Sequence, residues 1–481
     1  MSEPLRKRLR HARGWWMWAS AVCVGLVLIL YLWQHAFRRW WWEPEVGGYP
    51  VAHWVEGLCS PDYQVRDRAE AVLGRSGSES VPGLIRILRY REPSWAHLWR
   101  RWAPRWALSN RERPSVEAMR ACAARTVGGL GAAGGPASDA LVEVLSDPSE
   151  PVSAAASEAQ AALRKIGDPA LAALGRGLRH GKAIARARVA DLLCTTGNFS
   201  RSRLEQELGP LLEAALRDQD AMVRGRAVSA IGALGVFSSA VLGRLGILCG
   251  SQEVPEVRVA ALSALGLAGS KANGQLAAVE HALGAAQPEV RLEASRAAWK
   301  LVEAGVNEHV VKRVLETLGA LVREGGYRWQ AALAVGEMGE AGAPLIPDLV
   351  RAMRDEMPHR PSRTPPVAAV ALGRMGAPAR PALLELIRDP EPWVRLSAGV
   401  ALLGHGAGAA AAVPDLIRML DEPENEARIV ASQVLGSVGP AAAGALPRLN
   451  VLAQSQDEYV RSAATGAIGR IRIRSGGTAE R

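Results

Sequence analysis

Apolar residues recur along most of the chain at the spacing of one face of an α-helix. In residues 257–269, VRVAALSALGLAG, the apolar positions 257, 261, 264 and 265 follow the spacing i, i+4, i+7 and i+8, which predicts an amphipathic helix. Gly266 and Gly269 close the stretch, so we expect a neighbouring helix to approach closely there and the helix to stop.

Similar stretches return about twelve times. Residues 65–77 read VRDRAEAVLGRSG, residues 223–235 read VRGRAVSAIGALG and residues 460–472 read VRSAATGAIGRIR. Most copies are 30 to 38 residues apart, and a period in this range indicates a solenoid of stacked supersecondary units.

Ten of the twelve copies carry arginine at the second position of this motif; Ser153 and Pro365 fill the other two. The arginines are Arg66, Arg120, Arg186, Arg224, Arg258, Arg291, Arg328, Arg395, Arg428 and Arg461. A ladder of ligand-binding arginines is one interpretation. We predict a structural role instead, pairing with a preceding acidic residue or bonding carbonyls of the neighbouring unit, because a stacking contact recurs in every layer.

A second short helix follows each copy and is predicted to open with proline at its first turn, where the missing N–H costs nothing. Such prolines are Pro82, Pro210, Pro347, Pro381 and Pro414. Each unit is therefore predicted to be two antiparallel helices. One unit cannot bury its apolar face alone, and stacking of units buries it.

Residues 15–36 predict a transmembrane anchor. No charged residue occurs between Arg13 and Arg38, and the 19 residues from 15 to 33 read WWMWASAVCVGLVLILYLW. As a helix they span roughly 28 Å, close to the ~30 Å hydrocarbon core of a bilayer. Tryptophans at or beyond both ends match the aromatic belts of membrane interfaces.

A cleaved signal peptide is the alternative for this segment, but Gln34-His35-Ala36 is a poor match to a small-residue cleavage site. Val22 before Cys23 also disfavours lipidation. Five basic residues precede the span and two follow it. This bias predicts a cytoplasmic N-terminus, an inner (cell) membrane location and a repeat region outside the cytoplasm.

The pattern D/E-P-x-x-V-R-x-x-A-x-x-A-L-G-x-x-G, followed by P-x-L-x-x-L, resembles HEAT repeats, and its short period resembles the HEAT-like class of the phycobilin lyases. The resemblance covers about residues 50–475. Residues 48–55, GYPVAHWV, resemble the start of membrane-anchored bacterial HEAT-repeat proteins. The resemblance implies an all-α superhelical solenoid of about twelve two-helix repeats after one transmembrane helix, with a long concave surface of the kind that binds another protein.

Charge is concentrated in two short segments. The chain carries a net +10, of which residues 1–43 contribute +5 and residues 86–113 contribute +6, so the remainder is −1. A protein that binds nucleic acid along an array would carry a basic stripe. The neutral remainder therefore disfavours nucleic acid as the main partner.

An irregular insert, residues 89–114, lengthens one spacing to 54 residues. Its candidate membrane or partner contacts are Trp95, Trp99, Arg100, Arg101, Trp102, Arg105 and Trp106. Three interpretations stay open for this mixture of Trp and Arg: a cap over the end of the solenoid, a contact with anionic lipid, and a nucleic-acid patch.

The sequence contains no recognisable catalytic or metal-binding motif. H-E-x-x-H, P-loop and G-x-S-x-G patterns are absent. There is no His-Glu dipeptide, which disfavours the HEAT-repeat di-iron hydroxylases. The reversed pairs Glu280-His281 and Glu308-His309 are predicted to be solvated. The five cysteines form no C-x-x-C pair, so we predict small buried residues rather than a disulfide or zinc site.

The predicted organisation is a basic cytoplasmic tail (1–14), an anchor (15–36), a juxtamembrane linker (37–49), the solenoid (50–474) and a disordered tail (475–481). The predicted function is a membrane-tethered scaffold for protein–protein interaction, without catalytic residues, cofactor or metal. The alternatives are a lyase-like or enzyme-partner subunit, and binding of nucleic acid or anionic lipid through residues 86–113.

Overall fold

The computed structural model describes residue 25 and residues 45–91, 114–146, 153–195, 197–302, 307–355 and 367–476, with side chains up to residue 472. The chain forms two compact units, which divide between Leu234 and Gly235. The predicted tail 1–14, the predicted anchor (apart from residue 25), most of the insert and the Pro365 slot lie outside the described residues.

In the part of unit 1 described from residue 45, the chain begins with a small antiparallel hairpin of β1 (Glu45–Val46) and β2 (Tyr49–Pro50), in which Val46 pairs with Tyr49. The indole Nε1 of Trp54 donates to the Val46 carbonyl at 2.7 Å, which holds the hairpin on the first helix. The helices are α1 (Val51–Leu58), α2 (Tyr63–Ser76), α3 (Val81–Arg89), α4 (Val116–Gly129), α5 (Ser138–Leu145), α6 (Ala154–Ile166), α7 (Leu171–His180), α8 (Ala183–Leu192), α9 (Arg201–Ala215) and α10 (Ala221–Leu234).

Unit 2 continues the same alternation. Its helices are α11 (Ser239–Leu248), α12 (Pro255–Ala268), α13 (Leu276–Ala282), α14 (Pro288–Val302), α15 (Glu308–Glu324), α16 (Arg328–Glu337), α17 (Ile346–Asp355), α18 (Val367–Met375), α19 (Arg380–Leu386), α20 (Pro392–Leu402), α21 (Val413–Met419), α22 (Asn425–Val438), α23 (Leu446–Leu452) and α24 (Glu458–Gly476).

The even-numbered helices, α2 to α24, carry the repeated motif and are called motif helices here; the odd-numbered helices, α3 to α23, are called return helices. Within each unit, every motif helix packs against the next motif helix, as α4 does against α6 and α22 against α24. Motif helices also pack on the return helices beside them, as α12 does on α11. The predicted all-α array of two-helix repeats is confirmed for the described residues.

The predicted apolar face of α12 is buried, because positions 257, 261, 264 and 265 are each at most 2% exposed. Glycines let successive motif helices touch: a Cβ on Gly266 would lie 3.3 Å from the Ala297 Cα of α14. Gly269 then takes φ +57°, a left-handed conformation that ends α12 at little steric cost. The 3₁₀ turn Gly269–Gln275 leads into the return helix α13.

The predicted proline positions are confirmed at Pro82, Pro347, Pro381 and Pro414, which stand at the second residue of their helices. At Pro210 the prediction was wrong, because α9 begins at Arg201 and Pro210 lies inside it. The missing N–H removes one i→i−4 bond there. Two ion pairs on the preceding turns, Arg201–Glu205 and Arg203–Glu207, support the longer helix.

Two stretches of the described residues, Pro392–Met419 and Asn425–Leu452, are long and apolar enough to cross a membrane by length and composition. Each consists of a motif helix, a 3₁₀ turn and a return helix, with the chain broken at Gly406 (φ +50°) and Gly439 (φ +76°). The most apolar windows are 39% and 50% buried within the protein. Both stretches are therefore repeats of two helices joined by a turn, and neither is a single continuous helix.

Candidate functional site

Eight of the ten motif arginines bond carbonyls just before their own helix. Arg66 is typical: its Nη1 donates to the carbonyls of Ser60 at 2.7 Å and Pro61 at 2.8 Å. Carbonyls five or six residues earlier are bonded in the same way by Arg186, Arg224, Arg291, Arg328, Arg395, Arg428 and Arg461. Arg120 and Arg258 instead bond the carbonyls of Leu88 and Cys249, at the end of the preceding return helix.

Several of these guanidinium groups also reach the turn of the following repeat. Arg186 makes a bidentate pair with Asp218, at 2.7 and 2.8 Å. This hydrogen bonding raises the pKa of Arg186, and it holds the pKa of Asp218 below its usual range against the burial that would raise it. Comparable links are Arg258 to Gln287, Arg291 to Glu324 and Arg395 to Glu422. The arginines thus join one repeat to the next.

The slot occupied by Ser153 is filled differently. The Ser153 hydroxyl accepts from the Ala156 N–H at 3.1 Å and caps α6. Arg188 of α8 reaches back and donates to the Leu145 carbonyl at 2.9 Å, at the end of return helix α5. A carbonyl at the end of a return helix is therefore bonded by a guanidinium group even where the motif arginine is absent.

The seven insert candidates, Trp95, Trp99, Arg100, Arg101, Trp102, Arg105 and Trp106, lie outside the described residues. At the edge of this basic segment, Arg89 pairs with Glu143 through Nε at 2.9 Å and Nη2 at 2.7 Å. The pair raises the pKa of Arg89. One arginine of the segment is thus partly neutralised by a neighbouring return helix.

Two open grooves flank α15 in unit 2. The first has a volume of about 610 Å³ and is bordered by Glu280 and His281 of α13 and by Arg313 of α15. The Arg258–Gln287 hydrogen bond, at 3.1 Å, crosses its lining. Polar and charged side chains therefore form most of the border of this groove.

The second groove, about 550 Å³, lies between α15 and the turn that leads into α17. Val311 and Leu315 contribute apolar surface from α15, and Pro344 and Leu345 contribute it from the turn. Its charged border is formed by Glu308, Lys312, Glu316 and Arg323. An apolar floor with a mixed-sign border is typical of surfaces that hold a segment of another protein.

These grooves were not predicted from the sequence. Glu280-His281 and Glu308-His309 were expected only to be solvated, and His281, Glu308 and His309 are indeed exposed. What the sequence did not reveal is that residues of both pairs border the grooves, because each groove forms between two neighbouring repeats and its shape depends on how they pack.

Two cysteines meet in unit 1. The Cys59 thiol donates to the Cys122 sulfur with the two Sγ atoms 3.0 Å apart. This hydrogen bond lowers the pKa of Cys122 to about 7, with burial opposing it and the Arg125 guanidinium adding to it. The pKa of Cys59 is raised, because its thiol is the donor. The prediction of buried cysteines holds for Cys249, but Cys59, Cys122 and Cys194 are half-buried, and Cys23 lies outside the described residues.

In the part of the chain that the structure describes, no group of three or more His, Cys, Asp or Glu residues could hold a metal ion.

The comparisons with known proteins agree with this architecture. A family model described as HEAT repeats matches residues 366–436. A solved structure titled "Kap95:Nup1 complex" superposes with a TM-score of 0.51 at 15% identity, over 88% of this chain and 61% of that chain. The fold is that of a HEAT-repeat α-solenoid.

Two further solved structures are similar to this HEAT-repeat solenoid. Importin beta superposes with a TM-score of 0.47 at 15% identity, over 88% of this chain and 55% of that chain. A structure of Kap95p with RanGDP superposes with a TM-score of 0.49 at 15% identity, over 88% of this chain and 72% of that chain. The chain thus spans little more than half of importin beta. No curated protein matches the sequence.

Proposed function

We propose that this HEAT-repeat solenoid is a membrane-tethered scaffold that binds an apolar segment of another protein in the groove between α15 and α17. The observation that carries the proposal is the apolar floor of that groove, formed by Val311, Leu315 and Leu345. Kap95, a solenoid of the same fold, is in complex with Nup1, which supports protein binding as the general role.

The groove is suited to apolar anchoring. Leu345 is already packed, at 7% exposed, whereas Val311 and Leu315 are only half-buried. Covering their remaining apolar surface contributes about 25 cal/mol per Å². The border carries Glu308 and Glu316 against Lys312 and Arg323. The partner segment therefore carries apolar side chains flanked by charges of both signs.

Site-directed cross-linking tests this proposal in cells that make the full-length chain. A photo-reactive amino acid replaces Leu315, or, in a matched control, Leu267, which is 59% exposed on motif helix α12. We expect a discrete adduct with one protein from position 315 and none with that protein from position 267. Equal labelling from both positions, or none from 315, would contradict groove binding.

The tether is proposed to be residues 15–36, with the repeats outside the cytoplasm. The apolar, uncharged stretch and its flanking tryptophans support it. We further propose that the chain is not an enzyme and that the motif arginines are structural. Their bonds to turn carbonyls and to acids of the next repeat support this role.

A further inference from the structure

We propose that Cys59 and Cys122 form a redox-active dithiol, which closes to an intramolecular disulfide by exchange with a low-molecular-weight disulfide of the glutathione type. This inference stands apart from the proposed partner groove, because it concerns a covalent site in unit 1.

The two cysteine sulfurs lie close to the distance of a disulfide bond. The two sulfurs are 3.0 Å apart, so an approach of about 1 Å reaches the bonding distance. Cys59 is the C-cap of α1, where its N–H bonds the Glu56 carbonyl at 3.1 Å. Cys122 lies within α4, and α1 packs against α4. Both sulfurs are therefore positioned by packed helices.

The surroundings favour one thiol as the nucleophile. Cys122 accepts the hydrogen bond from Cys59 and lies near Arg125, which lowers its pKa to about 7. The thiolate is the reactive form in exchange. Both residues are half-buried, so the exchange partner must be small. Cys194 is also half-buried, but its Sγ lies 3.8 Å from the Ala190 carbonyl rather than beside a second described cysteine. Burial raises the pKa of Cys194. Cys194 is therefore the matched comparison for Cys122.

The exchange has two steps. The Cys122 thiolate attacks one sulfur of R–S–S–R, forming a mixed disulfide and releasing one R–S⁻. Cys59 then loses its proton and attacks the Cys122 sulfur, releasing the second R–S⁻. The two thiolates take up the two protons of the cysteines, so two cysteine thiols are oxidised and one small disulfide is reduced to two thiols.

The product bond would join α1 of the first repeat to α4 of the second and close a loop of 62 intervening residues. A cross-link across a loop of this length stabilises the folded state chiefly by restricting the unfolded chain. The oxidised protein is therefore expected to resist unfolding more than the reduced protein.

The test uses the full-length protein in detergent, equilibrated with mixtures of reduced and oxidised glutathione, trapped by alkylation and mapped by mass spectrometry. We expect a Cys59–Cys122 linked peptide in the folded protein, while Cys194 and Cys249 stay alkylated thiols. The Cys59–Cys122 disulfide should form at least ~10-fold faster in the folded protein than in protein unfolded in urea, because the fold holds the two sulfurs close together.

Two variants complete the test. Cys122→Ser should abolish the linked peptide, whereas Cys194→Ser should leave it unchanged, and both should melt within a few degrees of the reduced parent. Cys59 and Cys122 remaining thiols under conditions that oxidise glutathione-type pairs would overturn the inference. So would linked peptides in which Cys59 pairs with Cys194 or Cys249 as often as with Cys122.

Discussion

At the residue scale, one arginine side chain at the motif position can bond two sets of acceptors at once. In Arg395, Nη1 donates to the Asp389 and Pro390 carbonyls at 2.8 and 2.7 Å, while Nε donates to Glu422 at 2.6 Å. A planar guanidinium offers these divergent donors in fixed geometry, whereas an ammonium group offers a point charge. This double contact favours arginine where both sets of acceptors are present, as at Arg186, Arg258, Arg291 and Arg395.

We predict that Arg395→Lys lowers the free energy of unfolding by about 1–3 kcal/mol, because bonds to a carboxylate and to two turn carbonyls are lost together. Urea unfolding of the full-length protein measures the change. Arg374→Lys, at an exposed position of motif helix α18, is the matched control and should change it by no more than ~0.5 kcal/mol. Equal effects of the two substitutions would contradict a structural role.

The cysteine pair gives a pH prediction. The pKa of Cys122 is lowered to about 7 and that of Cys194 is raised. Because only the thiolate reacts, alkylation of Cys122 by iodoacetamide should rise from pH 6 and level off above about pH 8. Cys194 should stay slow over the same range. Peptide-resolved alkylation rates test this, and indistinguishable pH profiles for the two cysteines would refute it.

The motif arginines could be predicted from the sequence, whereas the cysteine pair could not. The position of each motif arginine is fixed by a local spacing that repeats along the chain, so the sequence alone identifies it. Cys59 and Cys122 are 63 positions apart, and only the packing of α1 on α4 brings them together. A C-x-x-C search cannot detect such a pair.

At the element scale, the small residues of the motif set how closely repeats stack. Gly436 of α22 faces the Ala467 Cα of α24, and an added Cβ would come within 2.9 Å of it. Gly469 occupies the same motif position in α24, and a Cβ there would meet nothing within 4 Å. A neighbouring described repeat therefore lies against Gly436 but not against Gly469.

We predict opposite effects for alanine at these two positions. Gly436→Ala should destabilise by about 1–3 kcal/mol, since the overpacked backbone contact outweighs the helix preference of alanine. Gly469→Ala should be neutral or stabilise by up to ~1 kcal/mol, because alanine favours a helix. Thermal and urea unfolding distinguish the two. Destabilisation by both, or by neither, would show that close stacking does not depend on this glycine.

The 3.6-residue period predicted the helices and their order, but it did not predict where α9 begins. The proline rule placed four return helices correctly and misplaced the start of α9. Leu204 and Leu208, both at most 1% exposed, anchor the turns before Pro210. Their burial against neighbouring helices overrides the local signal, as tertiary packing commonly does.

At the scale of the whole molecule, the fold explains the near-neutral charge of the repeats. Arginines and acids on neighbouring repeats pair repeatedly, as in Arg176–Asp139 at 2.7 Å and Arg354–Asp389 at 2.7 Å. The sequence predicted repeat type and approximate number. It could not predict the grooves beside α15, because their shape depends on how return helices from separate repeats lie side by side.

The location of the repeats is predicted from the charge bias around residues 15–36. Protease added to intact spheroplasts should digest the C-terminal repeats, and lysed spheroplasts provide the control. The expected digestion follows from five basic residues before the span and two after it. Protection until lysis would place the repeats in the cytoplasm and overturn the proposed orientation.

The most direct test of the scaffold is the affinity between the full-length chain and the protein cross-linked through position 315. We predict that Leu315→Glu weakens binding at least ~10-fold, equivalent to about 1.4 kcal/mol, because a charge replaces an apolar anchor in the groove. Leu267→Glu should alter affinity less than twofold, and both variants should melt like the parent. Equal binding by parent and Leu315→Glu protein would contradict the account.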